Sequence, residues 1–219
     1  MATLCSDVDF SSWIVDPPAR DGRLGLVRST ETRKLPIFQL TQLPVLSTPW
    51  GATSFGDDVA QTRLSIVLGD LPADVIDFFE RLDAHFIRYV ADHSQDLLKK
   101  TLSVEEVTAM WKPAVSARNG YPPQLKAKFN LAGNKPVKIW DLSGRELPIS
   151  PGDLPERPLT CSLKATGYWQ MSGREMGVVY DVQHVLCGEP VVPCPFSFGA
   201  AENEPDPLVN HATKANSEC

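Results

Sequence analysis

The sequence lacks a long apolar run, a secretion signal and the motifs of common enzymes. No stretch approaches the roughly 18 to 20 apolar residues that a membrane-spanning helix needs, and no basic segment followed by an apolar run begins the chain. No Gly-x4-Gly-Lys-Ser/Thr loop, Gly-x-Gly-x-x-Gly turn or Gly-x-Ser-x-Gly elbow occurs. We therefore expect a protein that is not an enzyme, uses no cofactor and does not enter membranes.

Cysteine is scarce and its spacing is unlike that of a metal site. The five cysteines are odd in number and scattered, which argues against a disulfide framework. We therefore expect a protein of a reducing compartment. His184, Cys187 and Cys194 are the one group with ligand-like residue types, but the sequence has no Cys-x2-Cys pair and no clear fourth ligand. We expect structural thiols and no metal.

Basic residues are fewer than acidic residues, with 21 Lys and Arg against 27 Asp and Glu and a net charge of -6. This balance argues at first against a nucleic-acid-binding protein, which neutralises phosphates with cations. The charge is unevenly distributed, however. Eight cations oppose six anions between Tyr121 and His184, whereas four anions oppose one cation over residues 195–219. With few large apolar residues, this acidic C-terminal tail is predicted to be disordered.

Period-two alternation of apolar and polar residues predicts strands at 63–68, 125–131, 137–142, 162–171 and 178–185. Apolar residues at three-and-four spacing predict a long helix from Pro72 to His93. Ser103 and Glu106 form a capping box that predicts a short helix ending near Trp111. The order predicts a β-rich α+β fold, an OB-like antiparallel barrel with one long and one short helix. We expect strands and loops wrapping the core over 1–60, the core over 61–194 and the tail over 195–219.

On the solvent-exposed faces of these strands, cations alternate with aromatic rings. This pattern is suited to binding a nucleic acid with a phosphate backbone and unstacked bases. Tyr168 shares a face with Lys164, whereas Trp169 is out of phase with them and is predicted to lie in the core. For Trp140, base stacking and core packing are equally open. The candidate nucleic-acid-binding residues are Lys112, Tyr121, Lys126, Lys128, Lys138, Trp140, Lys164 and Tyr168.

Several short motifs between Thr48 and Val185 occur in the order found in a known family. They are Thr48–Gly51, the predicted strand and long helix from Leu64 to His93, Leu102–Val107 followed by Trp111–Val115, Tyr121–Phe129, and Gly167–Gln170 with Gly177–Val185. In these motifs the chain resembles the single-stranded-DNA-binding proteins of nucleocytoplasmic large DNA viruses, including the asfarvirus and phycodnavirus versions. The resemblance implies an OB-fold and binding to single-stranded DNA without strong sequence preference. It also implies a role in DNA replication, recombination or repair.

The expected partner is single-stranded DNA, with RNA left open, together with further copies of the chain and replication proteins that the acidic tail would recruit. We expect an intracellular location, either the host nucleus or a cytoplasmic viral replication site. The alternative from another class is a structural or adaptor protein that meets a protein partner through the same exposed sheet face. A third hypothesis is a small-ligand barrel, which would need an enclosed apolar cavity.

Overall fold

The fold is built on a mixed sheet whose inner side is covered by a long helix. The computed structural model describes residues 3–17, 25–54, 62–117, 120–132, 136–148, 150–171 and 174–190. The predicted disordered tail, 195–219, lies outside these residues. The helices are α1 (Ala73–Asp92), α2 (Ser94–Leu98) and α3 (Val104–Met110). The strands are β1 (Thr3–Leu4), β2 (Trp13–Val15), β3 (Gly25–Ser29), β4 (Ile37–Gln39), β5 (Ala52–Thr53), β6 (Arg63–Leu68), β7 (Val115–Ser116), β8 (Gln124–Asn130), β9 (Lys138–Trp140), β10 (Leu159–Met171) and β11 (Glu175–Cys187).

The predicted strands and the long helix are confirmed, and the predicted number of short helices is wrong. β6 and β8 to β11 fall on the five alternating segments, and α1 starts directly after Pro72. Ser103 and Glu106 cap α3 reciprocally, with bonds of 3.2 and 2.8 Å. The additional helix α2 follows because the backbone leaves the helical region at His93 and resumes it for five residues. No helix among the described residues is long and apolar enough to span a membrane.

β10 and β11 form the long antiparallel hairpin at the centre of the sheet. The strand order is β1-β4-β10-β11-β8-β6-β5, with β8 and β9 both running parallel to β11. The described ladders leave the sheet open. The segment from β4 to β5 nevertheless borders both sides of the opening, because Leu46 bridges Leu159 at the start of β10 and Ser47 bridges Gly69 next to the end of β6. The OB-like barrel stays a prediction.

The inner side of the sheet packs against α1. Phe78 of α1 lies 5.0 Å from Phe38 of β4, and Phe79 lies 5.3 Å from Tyr180 of β11, measured between ring centroids. Because successive side chains of a strand point to opposite faces, the neighbours of Phe38 and Tyr180 point away from α1. We call this outer side of β6, β8, β10 and β11 the sheet face.

Candidate nucleic-acid interface

The sheet face carries a column of cations along β6 and β8. In the antiparallel register Ser65 lies opposite Lys128 and Val67 opposite Lys126, and the residues between them are buried in the core. Arg63 follows the same alternation at the start of β6. The alternation within each strand and the register between the two strands therefore place three cations on one surface.

The column opens into a groove of about 350 Å³, which we call the lysine groove. Lys112, in the segment after α3, lines it together with Lys126, Lys128 and Trp169. Lys128 donates a 3.2 Å hydrogen bond from Nζ to Ser65 Oγ. Lys112 Nζ lies 2.9 Å from Glu175 Oε1. The predicted residue Lys112 thus comes together with the predicted residues Lys126 and Lys128 of β8, although it belongs to a separate segment.

The electrostatics of the lysine groove favour an anion. Burial lowers the pKa of Lys128, and the positive charges of Lys126 and Arg63 lower it further, while Asp181 opposes the shift. Cations that disfavour one another's charged form are stabilised by an anion placed between them. A phosphate group is an anion that lysine side chains bind.

Tyr168 and Trp169 occupy the opposite faces from those predicted. Tyr168 is fully buried, and its ring stacks on Trp111 with centroids 6.5 Å apart. Trp169 is half-buried and lines the lysine groove. The physical reason is a β-bulge in β10, where the register passes from Ala165 to Gly167 and omits Thr166. One extra residue inverts the alternation that follows it.

Gly177 makes room for the indole of Trp169. The two residues are paired across β10 and β11. A Cβ atom at Gly177 would lie 3.1 Å from Trp169 Nε1 and 3.0 Å from the carbonyl oxygen of Lys112. The absence of this side chain lets the indole lie against β11 at the edge of the lysine groove.

A second groove, of about 460 Å³, lies farther along β11, and we call it the Trp140 groove. Its half-buried Trp140 donates a 3.2 Å hydrogen bond from Nε1 to Nδ1 of His184. Burial, with the charge of Lys138, lowers the pKa of His184, which keeps this nitrogen available as an acceptor near neutral pH. Lys138 Nζ lies 5.5 Å from the Trp140 ring centroid and 2.8 Å from Glu146 Oε2. Ser162 Oγ, also in this groove, is buried with no hydrogen-bond partner.

The remaining candidates take different positions. Lys164 is half-buried on the sheet face, opposite Asp181 of β11 and between the two grooves. Tyr121 is 54% exposed and meets the equally exposed Trp50 edge-on, with ring centroids 6.0 Å apart. It lines neither groove. The structure therefore joins the predicted residues into two groups, with Lys164 between them and Tyr121 outside them.

Solved structures that are similar to this chain include single-stranded DNA-binding proteins of bacteriophages. The protein encoded by bacteriophage T7 is 11% identical with a TM-score of 0.47, over 71% of this chain and 93% of that chain. The protein from bacteriophage Enc34 is 14% identical with a TM-score of 0.40, over 84% of this chain and 96% of that chain. Its complex with single-stranded DNA gives 13% identity and a TM-score of 0.39, over 81% and 98%. No protein-family model and no curated protein matches the chain. A relationship to the single-stranded-DNA-binding proteins of large DNA viruses stays a prediction.

The sequence patterns did not identify several residues of the two grooves and the sheet face. Arg63 could have been found, because it alternates with the apolar residues of a strand that was predicted. Trp169 had one usable signal, since a glycine inside a strand, here Gly167, often marks a bulge. For His184 the sequence indicated only a ligand-like grouping with Cys187 and Cys194, and no role beside Trp140. Among the described residues no three His, Cys, Asp or Glu side chains are arranged to hold a metal, and Cys194 lies outside those residues.

Asp83 fixes the wall of the lysine groove that carries Lys112. This buried carboxylate of α1 accepts a 3.0 Å hydrogen bond from the backbone N–H of Ala114, which also lines the groove. Burial raises the pKa of Asp83 to about 6, and the Ala114 N–H opposes part of that shift. Asp83 thereby ties the helix on the inner side to a segment that reaches the sheet face.

Replacing Asp83 with Asn is expected to change how stability depends on pH. The folded pKa of about 6 exceeds the ordinary value of 3.8. The native state thus binds more protons than the unfolded chain between these values, and the contribution of Asp83 to stability falls as pH rises through the window. The full loss is about 3 kcal/mol, because each tenfold change in proton affinity corresponds to about 1.4 kcal/mol.

Urea unfolding at about pH 4 and about pH 7 measures this effect. The free energy of unfolding of Asp83→Asn, relative to the parent, should increase with pH because the amide cannot ionise. A difference that is the same at both values would contradict the assigned titration.

Proposed function

We propose that this protein binds single-stranded DNA, without strong sequence preference, along the sheet face. One observation carries the proposal: Lys112, Lys126 and Lys128 line the same groove as the half-buried indole of Trp169. Sequence-tolerant binding of a single strand needs this combination of cations for the backbone and flat rings for the bases.

The two components act differently. The cations neutralise phosphates irrespective of the base, so they supply affinity without sequence information. A ring such as Trp169 or Trp140 can stack on any base, and each stacked base contributes about 1 to 3 kcal/mol. Along β11 the grooves extend from Val178 to Leu186, roughly 26 Å at about 3.3 Å per residue. A track of this length fits a site within the range of about 4 to 16 nucleotides known for one OB-fold.

We also propose that the core is an OB-like barrel. The segment from β4 to β5 borders β10 at Leu46 and β6 at Ser47, which supports closure of the sheet through this segment. The parallel contact between β8 and β11 places the central hairpin beside the cation column. In an OB-fold the face of the second and third strands binds oligonucleotides. In the proposed barrel β6 and β8 take those positions, and they carry Arg63, Lys126 and Lys128.

A role in DNA replication, recombination or repair is part of the proposal, and it follows from the resemblance of the sequence motifs. The acidic tail, further copies of the chain and replication proteins are proposed partners in that role.

Titrating a labelled oligothymidine and a duplex of equal length, followed by fluorescence anisotropy, tests the function. The single strand should bind with a Kd around micromolar or tighter at low salt, as two or three stacked bases and several phosphate contacts imply after ordering costs. The duplex should bind more weakly, because its bases are stacked on each other and cannot reach the rings. Equal binding of both would overturn the proposal in favour of simple charge attraction. No binding of either would favour the adaptor alternative.

A further inference from the structure

One acidic residue lies in the middle of the sheet face, between the two grooves. Val179 of β11 lines the lysine groove and His184 lines the Trp140 groove. Asp181 lies between them on the same strand and the same face, opposite Lys128 of β8 and Lys164 of β10. A strand that spans both grooves would therefore have to pass over this carboxylate.

Asp181 already holds one of the cations that would bind DNA. Its Oδ1 lies 3.3 Å from the guanidinium of Arg63, and its side chain is only 13% exposed, against 52% for Arg63. The carboxylate is thus fixed in place by its strand, whereas the longer arginine side chain can reorient. A phosphate over this position would be repelled by Asp181 and would compete with it for Arg63.

We propose that Asp181 limits the affinity of the sheet face for single-stranded DNA. This inference rests on the function proposed above and concerns how tightly that same site binds. Asp181 offsets positive charge at the centre of the track, so the phosphate contacts are concentrated at its two ends. Its removal would free Arg63 for the backbone and leave Lys128 and Lys164 without an opposing charge between them.

Asp181→Asn is expected to bind oligothymidine about threefold to tenfold more tightly than the parent at about 50 mM salt, which is the effect of about one added phosphate contact. The plot of log K against log salt should become steeper by about 0.7, the value for one contact to a single strand. Asp181→Glu, which retains the charge, should bind like the parent. Asp77→Asn is the matched control, because it removes the same charge from the exposed side of α1.

Thermal unfolding of each variant shows whether it is folded, and Asp181→Ser serves as a second neutral variant if the Asn variant is not. Binding no tighter than the parent in a folded neutral variant would overturn this inference alone. Equal tightening by Asp77→Asn would overturn it as well, because net charge would then account for the change. If the parent itself did not bind, both the function and this inference would fail.

Discussion

Reversing the charge of Lys126 and Lys128 together should weaken the binding of oligothymidine about 100-fold or more at low salt. Hydrogen bonds to charged groups contribute about 1.5 to 3 kcal/mol each, so the loss of two corresponds to at least two orders of magnitude in Kd. The glutamates add repulsion beside Asp181, which lies between the two grooves and already opposes phosphate. The dependence of log K on log salt should become shallower by about 1.4, the value for two lost contacts.

Arg81→Glu with Arg88→Glu is the matched control for this double variant. It makes the same change in net charge on the exposed side of α1, whose opposite side packs on the inner face of the sheet. The control should bind nearly as well as the parent. If both double variants lost the same affinity, net charge and not the sheet face would explain binding.

Replacing Tyr168 with alanine should mainly lower stability, whereas replacing the adjacent Trp169 with alanine should mainly weaken the binding of oligothymidine. Tyr168→Ala removes a fully buried ring and leaves a cavity, which should lower the free energy of unfolding by about 3 to 5 kcal/mol. Trp169→Ala removes a half-buried ring from the lysine groove. It should weaken oligothymidine binding by about 1 to 3 kcal/mol, roughly 5- to 150-fold, with a smaller effect on stability.

Urea unfolding and anisotropy on the same preparations separate the two effects. Tyr168→Phe is the conservative control: its ring still fills the core, so it should remain folded and bind like the parent. A Trp169→Ala variant that is folded and retains parental affinity would exclude this ring from the site. A Tyr168→Ala variant of parental stability would contradict the burial of Tyr168.

Local patterns were sufficient to predict most of the elements. The alternation at β6 and β8 to β11 and the three-and-four spacing of α1 are set by residues close together in sequence, as is the reciprocal cap of Ser103 and Glu106. Helix α2 was missed because five residues are too few for a periodic pattern, and its start depends on the backbone at His93.

The candidate site was only partly predictable, because its geometry depends on pairing between distant strands. Alternation identified the lysines of β8, but the bulge at Thr166 reversed the faces of Tyr168 and Trp169. The ion pair of Lys112 with Glu175 follows from how the segment after α3 meets β11, and no local pattern encodes it. The position of Asp181 at the centre of the face likewise depends on strand register.

The slope of log K against log salt for oligothymidine binding to the parent protein tests the central claim most directly. If Lys112, Lys126 and Lys128 each contact a phosphate while Asp181 holds Arg63, the slope should be about -2.1, which corresponds to roughly 18-fold weaker binding at about 200 mM salt than at about 50 mM. A slope near zero would contradict neutralisation of the backbone by the cations of the sheet face.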